Sequence, residues 1–275
     1  MNENDTKRVI AIARDAGRLV EQIAKDGFQT MRKADRSVVT RADLAADALI
    51  REALQLAFPN DAILTEENGL IGPPDAEFIW VVDPVDGTRA FAKGQWGYCV
   101  MIGRINQGRP VFGVIYDSNR DVLWMGGESI PAVRVDPEGV VDLSTNRQID
   151  RNTMRLVTSP RFPNALYERM VTDTGLHKGR RVNSVGIKVG MLCNGEAEVY
   201  FSYHPLSFWD TVAPCAIATA AGTTYSLLDG TDPRYIPSME PETWVHDQPF
   251  VFSVGGHHSD VLSAIRQSLS DYGPG

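Results

Sequence analysis

Long apolar runs are absent from this 275-residue chain, and no stretch approaches the ~20 apolar residues that span a bilayer. The amino terminus, Met-Asn-Glu-Asn-Asp-Thr-Lys-Arg, also lacks the apolar core of a signal peptide, so no transmembrane segment and a cytoplasmic location are expected. Cysteine is scarce. Cys99, Cys193 and Cys215 are odd in number, far apart and set in apolar surroundings, which argues for free buried thiols over a disulfide frame or a zinc site. Basic charge is in deficit, with 27 Lys and Arg against 35 Asp and Glu and a formal charge of −8. A nucleic-acid polymer is therefore not an expected partner, because binding its backbone needs a basic face; an acidic excess is compatible with sites that load metal ions. The 5 histidines accompany no Gly-x-Ser-x-Gly elbow, which removes a serine hydrolase.

What remains is an ordinary globular composition, 43% hydrophobic and 23% charged, without low-complexity stretches and long enough for two layered halves. The chain is organised around Trp80-Val-Val-Asp-Pro-Val-Asp-Gly-Thr-Arg-Ala-Phe91. Residues 78–82 form a continuous apolar run of the kind a buried strand gives, and Pro84 is expected to end its ladder. The strand thus delivers Asp83 to its carboxyl end. Asp86 follows, and Gly87-Thr88 offers backbone N–H groups in a tight turn, a pairing of hard oxygens and anion-binding amides that suits a metal-bridged phosphate. Asp-Pro and Asp-Gly are also ordinary turn dipeptides, so other carboxylates must decide.

Helical spacing of Val9, Ile10, Ala13, Ala16, Gly17, Val20, Ile23 and Ala24 predicts a first amphipathic helix ending near Gly27. A second helix follows Val38-Val-Thr-Arg-Ala-Asp43, with Ala45, Leu49, Ala53 and Leu56 as its core face and Phe58-Pro59 as its stop. Thr40 and Asp43 fit a capping box, which leaves Asp43 able to accept a second hydrogen bond from a catalytic hydroxyl or water. Residues 62–65 form an apolar run that ends at Glu66-Glu67, which on their own read as a solvated pair at a loop entry; successive strand residues face opposite ways, so one of these acids is expected to face a metal and its neighbour to stand behind it. From 97 to 126 short β-rich runs separated by Gly, Asn, Pro and Asp predict an antiparallel meander, with a further short strand at 132–135 before a polar stretch to 152.

The division between halves is placed in that stretch, giving an N-terminal α+β half at 1–145 and a C-terminal α/β half at 146–275. Strands at 154–158, 181–183, 198–202, 224–228 and 250–254 alternate with helices at 164–172, 187–193, 207–221 and 259–270, an order that argues for an α/β layer on a mainly open sheet. Asp210 stands in the first turn of the long apolar helix, with Pro214 tolerated near that end, and is a cap or dipole partner on its own.

Taken together, Val39-Thr40-x-x-Asp43, Glu66-Glu67, Asp83-Pro-Val-Asp-Gly-Thr88 and Trp209-Asp210 resemble, in order and over nearly the whole chain, the inositol monophosphatase-like superfamily of magnesium-dependent, lithium-sensitive phosphatases. Within it the chain looks most like the CysQ-type 3'(2'),5'-bisphosphate nucleotidases, through Lys33-Ala-Asp-Arg-Ser37, Thr88-Arg-Ala-Phe91, Gly108-Arg-Pro-Val-Phe-Gly-Val-Ile-Tyr116, Ser184-Val-Gly-Ile-Lys188 and Trp209-Asp-Thr-Val-Ala-Pro214. Where such nucleotidases often carry Ser-Arg-Ser-His, this chain reads Thr158-Ser-Pro-Arg161. The resemblance implies a layered αβαβα sugar-phosphatase fold, hydrolysis of 3'-phosphoadenosine 5'-phosphate to AMP and phosphate, and a homodimer. It also implies two or three magnesium ions held by Glu66, Asp83, the carbonyl of Val85, Asp86 and Asp210. Thr88, oriented by Asp43, would deprotonate the attacking water together with Glu66. Gly87, Thr88, Arg161, Gly186, Lys188 and Asp210 would meet the substrate. An inositol or other sugar phosphate is the alternative small substrate, and a metal- or phosphate-binding module without catalysis is a more distant one. The D-x-D-G-T of haloacid dehalogenase-type phosphatases differs, because its acids stand one residue closer together.

Overall fold

Alternate residues of the central strands go to different neighbours, and this alternation builds the layers. The computed structural model describes residues 1–27, 30–32, 38–145 and 148–270. The helices are α1 (Glu3–Asp26), α2 (Arg41–Ala57), α3 (Thr88–Phe91), α4 (Asn164–Thr174), α5 (Val185–Asn194), α6 (Phe208–Ala221) and α7 (His258–Ser270). The short ribbon β1 (Thr30–Arg32) with β2 (Val38–Thr40) precedes α2.

A large sheet follows, made of β3 (Ala62–Thr65), β4 (Gly69–Ile71), β5 (Phe78–Asp86), β6 (Cys99–Asn106), β7 (Arg109–Asp117), β8 (Val122–Gly127), β9 (Ile130–Asp136) and β10 (Gly139–Asp142). Its order is β10-β9-β8-β7-β6-β5-β3-β4, antiparallel except where β3 and β5 run parallel. The second sheet contains β11 (Arg155–Thr158), β12 (His177–Arg181), β13 (Val199–Phe201), β14 (Thr224–Leu227) and β15 (Phe250–Ser253), in the order β12-β11-β13-β15-β14.

Val100, Ile102, Phe112 and Val114 face α1 and α2, where they bury Val9, Ala13, Ala16, Ile50 and Leu54. Their neighbours Cys99, Met101 and Ile115 face the other way, into a core shared with Ile187 and Met191 of α5 and Ala213 and Ile217 of α6. The second sheet closes that core with Tyr200, Phe250 and Phe252. Its outward residues Val199, Phe201 and Val251 pack against Leu166 and Met170 of α4 and Val261 and Ile265 of α7. The five layers are therefore αβαβα, as the resemblance implies.

Four local expectations need correction. On α2 the fully buried stripe is Ala42, Asp43, Ala46, Asp47, Ile50 and Leu54, one residue round from the expected face, and Leu56 is 87% exposed. Apolar periodicity misses this stripe because two of its members are acids. The strand through residues 78–82 does not stop at Pro84 but runs to Asp86 as β5. The 130–142 segment is a full hairpin, β9–β10, where only a short strand was expected. In the second half the strand expected at 181–183 lies earlier, at β12. The Lys33–Ser37 stretch lies outside the described residues.

The middle helix α6 packs on the inner face of β5 to β9. Its approach is set by glycines: a Cβ at Gly113 would stand 2.3 Å from the carbonyl oxygen of Ala213, and one at Gly103 would stand 2.7 Å from the Ala213 nitrogen. Backbone atoms cannot rotate away as a side chain can. Gly113→Ala is expected to destabilise the protein by about 1–3 kcal/mol or more, as overpacking does. Urea unfolding should show a lower midpoint at unchanged slope.

Candidate active site

Residues three apart on a regular strand point to opposite faces, so Asp83 and Asp86 could not share a site if β5 were regular. Pro84 cannot donate to the ladder, and the register with β6 slips between Asp83, opposite Met101, and Asp86, opposite Cys99. The Asp83 carboxylate accepts the Val85 N–H at 3.0 Å, closing a turn around the proline. The bulge gathers the acids: one oxygen from each of Asp83, Asp86 and Asp210 lies within 4.8 Å of the others. Directly after them Gly87 takes a left-handed φ of 94°, and a Cβ there would stand 2.4 Å from the Gly97 carbonyl oxygen. The chain then enters the one-turn helix α3 at Thr88, where first-turn N–H groups have no partner inside the helix.

Asp43 reaches the same point from α2. One of its oxygens accepts the Thr40 backbone N–H at 2.8 Å and the Thr40 hydroxyl at 2.6 Å; its other oxygen meets the Thr88 hydroxyl at 3.0 Å. The capping box and the second role coexist because the two oxygens divide the work. Thr88 Oγ1 also lies 3.0 Å from the carbonyl of Val85. Burial pushes the Asp43 carboxyl up, against the opposing hydrogen bonds from Thr40 and Thr88.

Asp210 comes from the first turn of α6, where it accepts the Ser207 N–H at 2.8 Å. Pro214 lies inside that helix and has no N–H to bond the Asp210 carbonyl four residues back. Burial, then the charge of Asp86, pushes the Asp210 carboxyl up to about 8. Asp83 is raised well above its ordinary range by burial, then by Glu66, Asp86 and Asp210. The charge of Glu66, in the β3–β4 turn, reaches Asp83, and the Glu66 N–H bonds the Val82 carbonyl at 3.2 Å. Such a set of hard oxygens, buried and mutually repelling, fits a small divalent cation.

The model of the inositol monophosphatase family matches residues 1–266. The chain belongs to the inositol monophosphatase family. A 3'(2'),5'-bisphosphate nucleotidase CysQ of Salmonella typhimurium is 32% identical over 248 residues, covering 84% of this chain and 94% of that protein. An inositol-1-monophosphatase of Synechocystis is 32% identical over 216 residues, covering 76% and 71%. Among solved structures, the inositol monophosphatase of Anabaena superposes with a TM-score of 0.76 at 25% identity, covering 96% of this chain and 97% of that one. The chain is thus a phosphatase of this family, and the strand-end acids lie where its fold brings β5, α2 and α6 together.

In this phosphatase the α5 end of the site is built differently from the expected substrate contacts. Asp86 accepts the Ser184 hydroxyl at 2.6 Å and the Gly186 N–H at 2.8 Å. Cys99 Sγ lies 3.2 Å from Ser184 Oγ. Burial raises the Asp86 carboxyl even so, against the lowering effects of Lys188 and these donors. Lys188 is 1% exposed, and its ammonium donates to the carbonyls of Val182, Asn183 and Ser184 at 3.0, 2.9 and 2.7 Å. Gly186 and Lys188 therefore hold the wall behind Asp86. Arg161 lies exposed in the turn after β11, its N–H on Ser159 Oγ, at the same sheet end as the 182–184 turn. Ser184 stands in the sequence as the first residue of the Ser-x-Gly-x-Lys stretch, and nothing local marks its bond to Asp86.

His246, which no sequence motif marks, fixes the start of α6. It is 6% exposed, its ring packs against Phe208, Tyr235 and Phe250, and Nε2 lies 3.0 Å from the Thr211 hydroxyl, next to Asp210. Burial lowers its pKa to about 4 from the ordinary 6.5. The unfolded chain therefore takes up the proton first: this contribution is whole above pH 6.5 and is lost as pH falls through 4. Stability of the parent should decline across that window more steeply than that of His246→Gln, the difference approaching about 1.4 kcal/mol per pH unit. Denaturant unfolding of both proteins at several pH values checks it.

Proposed function

We propose that this phosphatase is a magnesium-dependent phosphomonoesterase acting on 3'-phosphoadenosine 5'-phosphate, releasing AMP and phosphate. The observation that carries the reading is the convergence of the Asp83, Asp86 and Asp210 carboxylates within 4.8 Å, beside the Asp43–Thr88 pair. Glu66, Asp83, the carbonyl of Val85, Asp86 and Asp210 would hold two or three ions, and the resemblance adds inhibition by lithium. Bound there, magnesium supplies charge neutralisation for the phosphate and makes water more acidic. Asp43 accepts the proton of the Thr88 hydroxyl as that hydroxyl takes one from the attacking water, with Glu66 alongside. The backbone N–H groups of Gly87 and Thr88 would donate to the phosphate oxygens. Water forms the new bond to phosphorus as the ester oxygen leaves in line, without a phosphorylated residue.

The nucleotide is favoured by the fuller coverage of the CysQ relative and by the Ser-x-Gly-x-Lys stretch, within which Gly186 and Lys188 would act through the site wall while Arg161 and Asp210 meet the substrate. The equal identity of the inositol-1-monophosphatase relative keeps inositol 1-phosphate as the second reading. A cytoplasmic homodimer of two-part chains, 1–145 and 146–275, completes the proposal; among the described residues no helix is long and apolar enough to cross a membrane.

Phosphate release with magnesium, on both esters side by side and with and without lithium, tests the substrate. A nucleotide preference supports the proposal, and an inositol preference overturns the nucleotide while leaving the site. Asp83→Asn should abolish turnover together with magnesium binding. Asp43→Asn should lower kcat by about a hundredfold or more while calorimetry still detects the metal. Near-normal turnover by Asp83→Asn would contradict the assignment.

A further inference from the structure

Asp47 stands one turn beyond Asp43 on the same face of α2, and none of the steps above uses it. It is 0% exposed. A carboxylate in a helix core is costly unless something compensates it, and aspartate is also a weak helix former. One oxygen, Oδ2, accepts the Asn68 side-chain amide at 2.5 Å, with Arg51 Nε 3.5 Å away; Oδ1 is buried with no hydrogen-bond partner among the described residues. Asn68 belongs to the β3–β4 turn, the turn of Glu66. Two backbone bonds shape that turn locally: the Glu66 N–H on the Val82 carbonyl, and the Asn68 N–H on the Thr65 hydroxyl at 3.0 Å. Both stay within the sheet. The Asp47–Asn68 bond instead ties the turn to α2, the helix that carries Asp43.

We propose that Asp47 is a positioning residue: through Asn68 it docks the Glu66 turn on α2, so that Glu66 and Asp43 reach the strand-end acids in one fixed relation. This inference rests on the metal-site reading of the preceding subsection. Its consequence is local, because the Asp47 carboxylate stands behind the site, bonded to Asn68 with Arg51 beside it. Metal affinity should suffer when the tie is cut, since groups that orient metal ligands from behind typically matter by about 10–100-fold.

The test uses the full-length protein stripped with EDTA and then titrated with magnesium chloride, read as the rise in melting temperature without substrate. Asn68 is exposed, so Asn68→Ala should still fold; it leaves Asp47 without its amide donor and should melt below the parent in EDTA, so the metal effect is read as the half-saturating magnesium, not as the starting melting temperature. Its half-saturating magnesium should rise about tenfold. Asn68→Asp places two carboxylates in contact and should weaken binding at least as much. Adding Asp47→Asn to Asn68→Asp restores an amide–carboxylate pair with the roles exchanged, and should recover half-saturation to within about threefold of the parent, a rescue a merely stabilising role would not produce. Half-saturation within twofold of the parent in both single variants, or a folded double variant with no recovery, overturns the role of Asp47. A parent that takes up no magnesium overturns the metal reading itself and this inference with it.

Discussion

Three carboxylates are held close together, Asp83 and Asp86 buried and Asp210 half-buried beside them, and much of the structure serves that constraint. Burial acts against the ionised forms of Asp83, Asp86 and Asp210, and neighbouring carboxylates add their repulsion at Asp83 and Asp210. What opposes them is a set of short-range donors: the Val85 N–H on Asp83, Ser184 and Gly186 on Asp86, and the Ser207 N–H on Asp210. These orient the carboxylates without neutralising them. The ammonium of Lys188, close enough to influence Asp86, donates to three carbonyls instead. A cation bound there would offset this cost and would in turn attract phosphate.

The layers explain how acids so far apart in the chain meet. β5 carries two of them on a bulge, α6 brings Asp210 from the middle layer, and α2 brings Asp43 from the opposite face of the large sheet. Each element has its own means of setting depth: glycines at 103 and 113 let α6 settle on the strands, and His246 anchors its first turn. The acid cluster is thus a product of packing at several distances from it. A change in the middle layer should be felt at the carboxylates as readily as a change beside them.

Much of this was legible because the chemistry leaves local marks. A strand ending in Asp83-Pro-Val-Asp-Gly-Thr88 and helices opening on Asp43 and Asp210 are patterns within a few residues, and the structure brings these acids together. Less legible was whatever depends on partners distant in sequence. Ser184 and Asp86 are 98 residues apart, and nothing near Ser184 announces a carboxylate. On α2 the buried stripe contains Asp43 and Asp47, so a count of apolar residues selects the wrong face. Pro84 reads as the end of a ladder, whereas the strand bulges around it and resumes. Lys188 reads as a cation offered to a ligand, but the end point of a long flexible side chain is decided by burial, and here it turns back on the loop before its own helix.

The account stands or falls on a divalent cation among Asp83, Asp86 and Asp210. The most direct measurement is anomalous diffraction from crystals of the protein grown with manganese in place of magnesium, recorded at the manganese edge. The account predicts strong peaks within coordination distance of these three carboxylates, with at least one shared by Asp83 and another ligand. Manganese bound elsewhere, with no peak between the strand-end acids and Asp210, would contradict it.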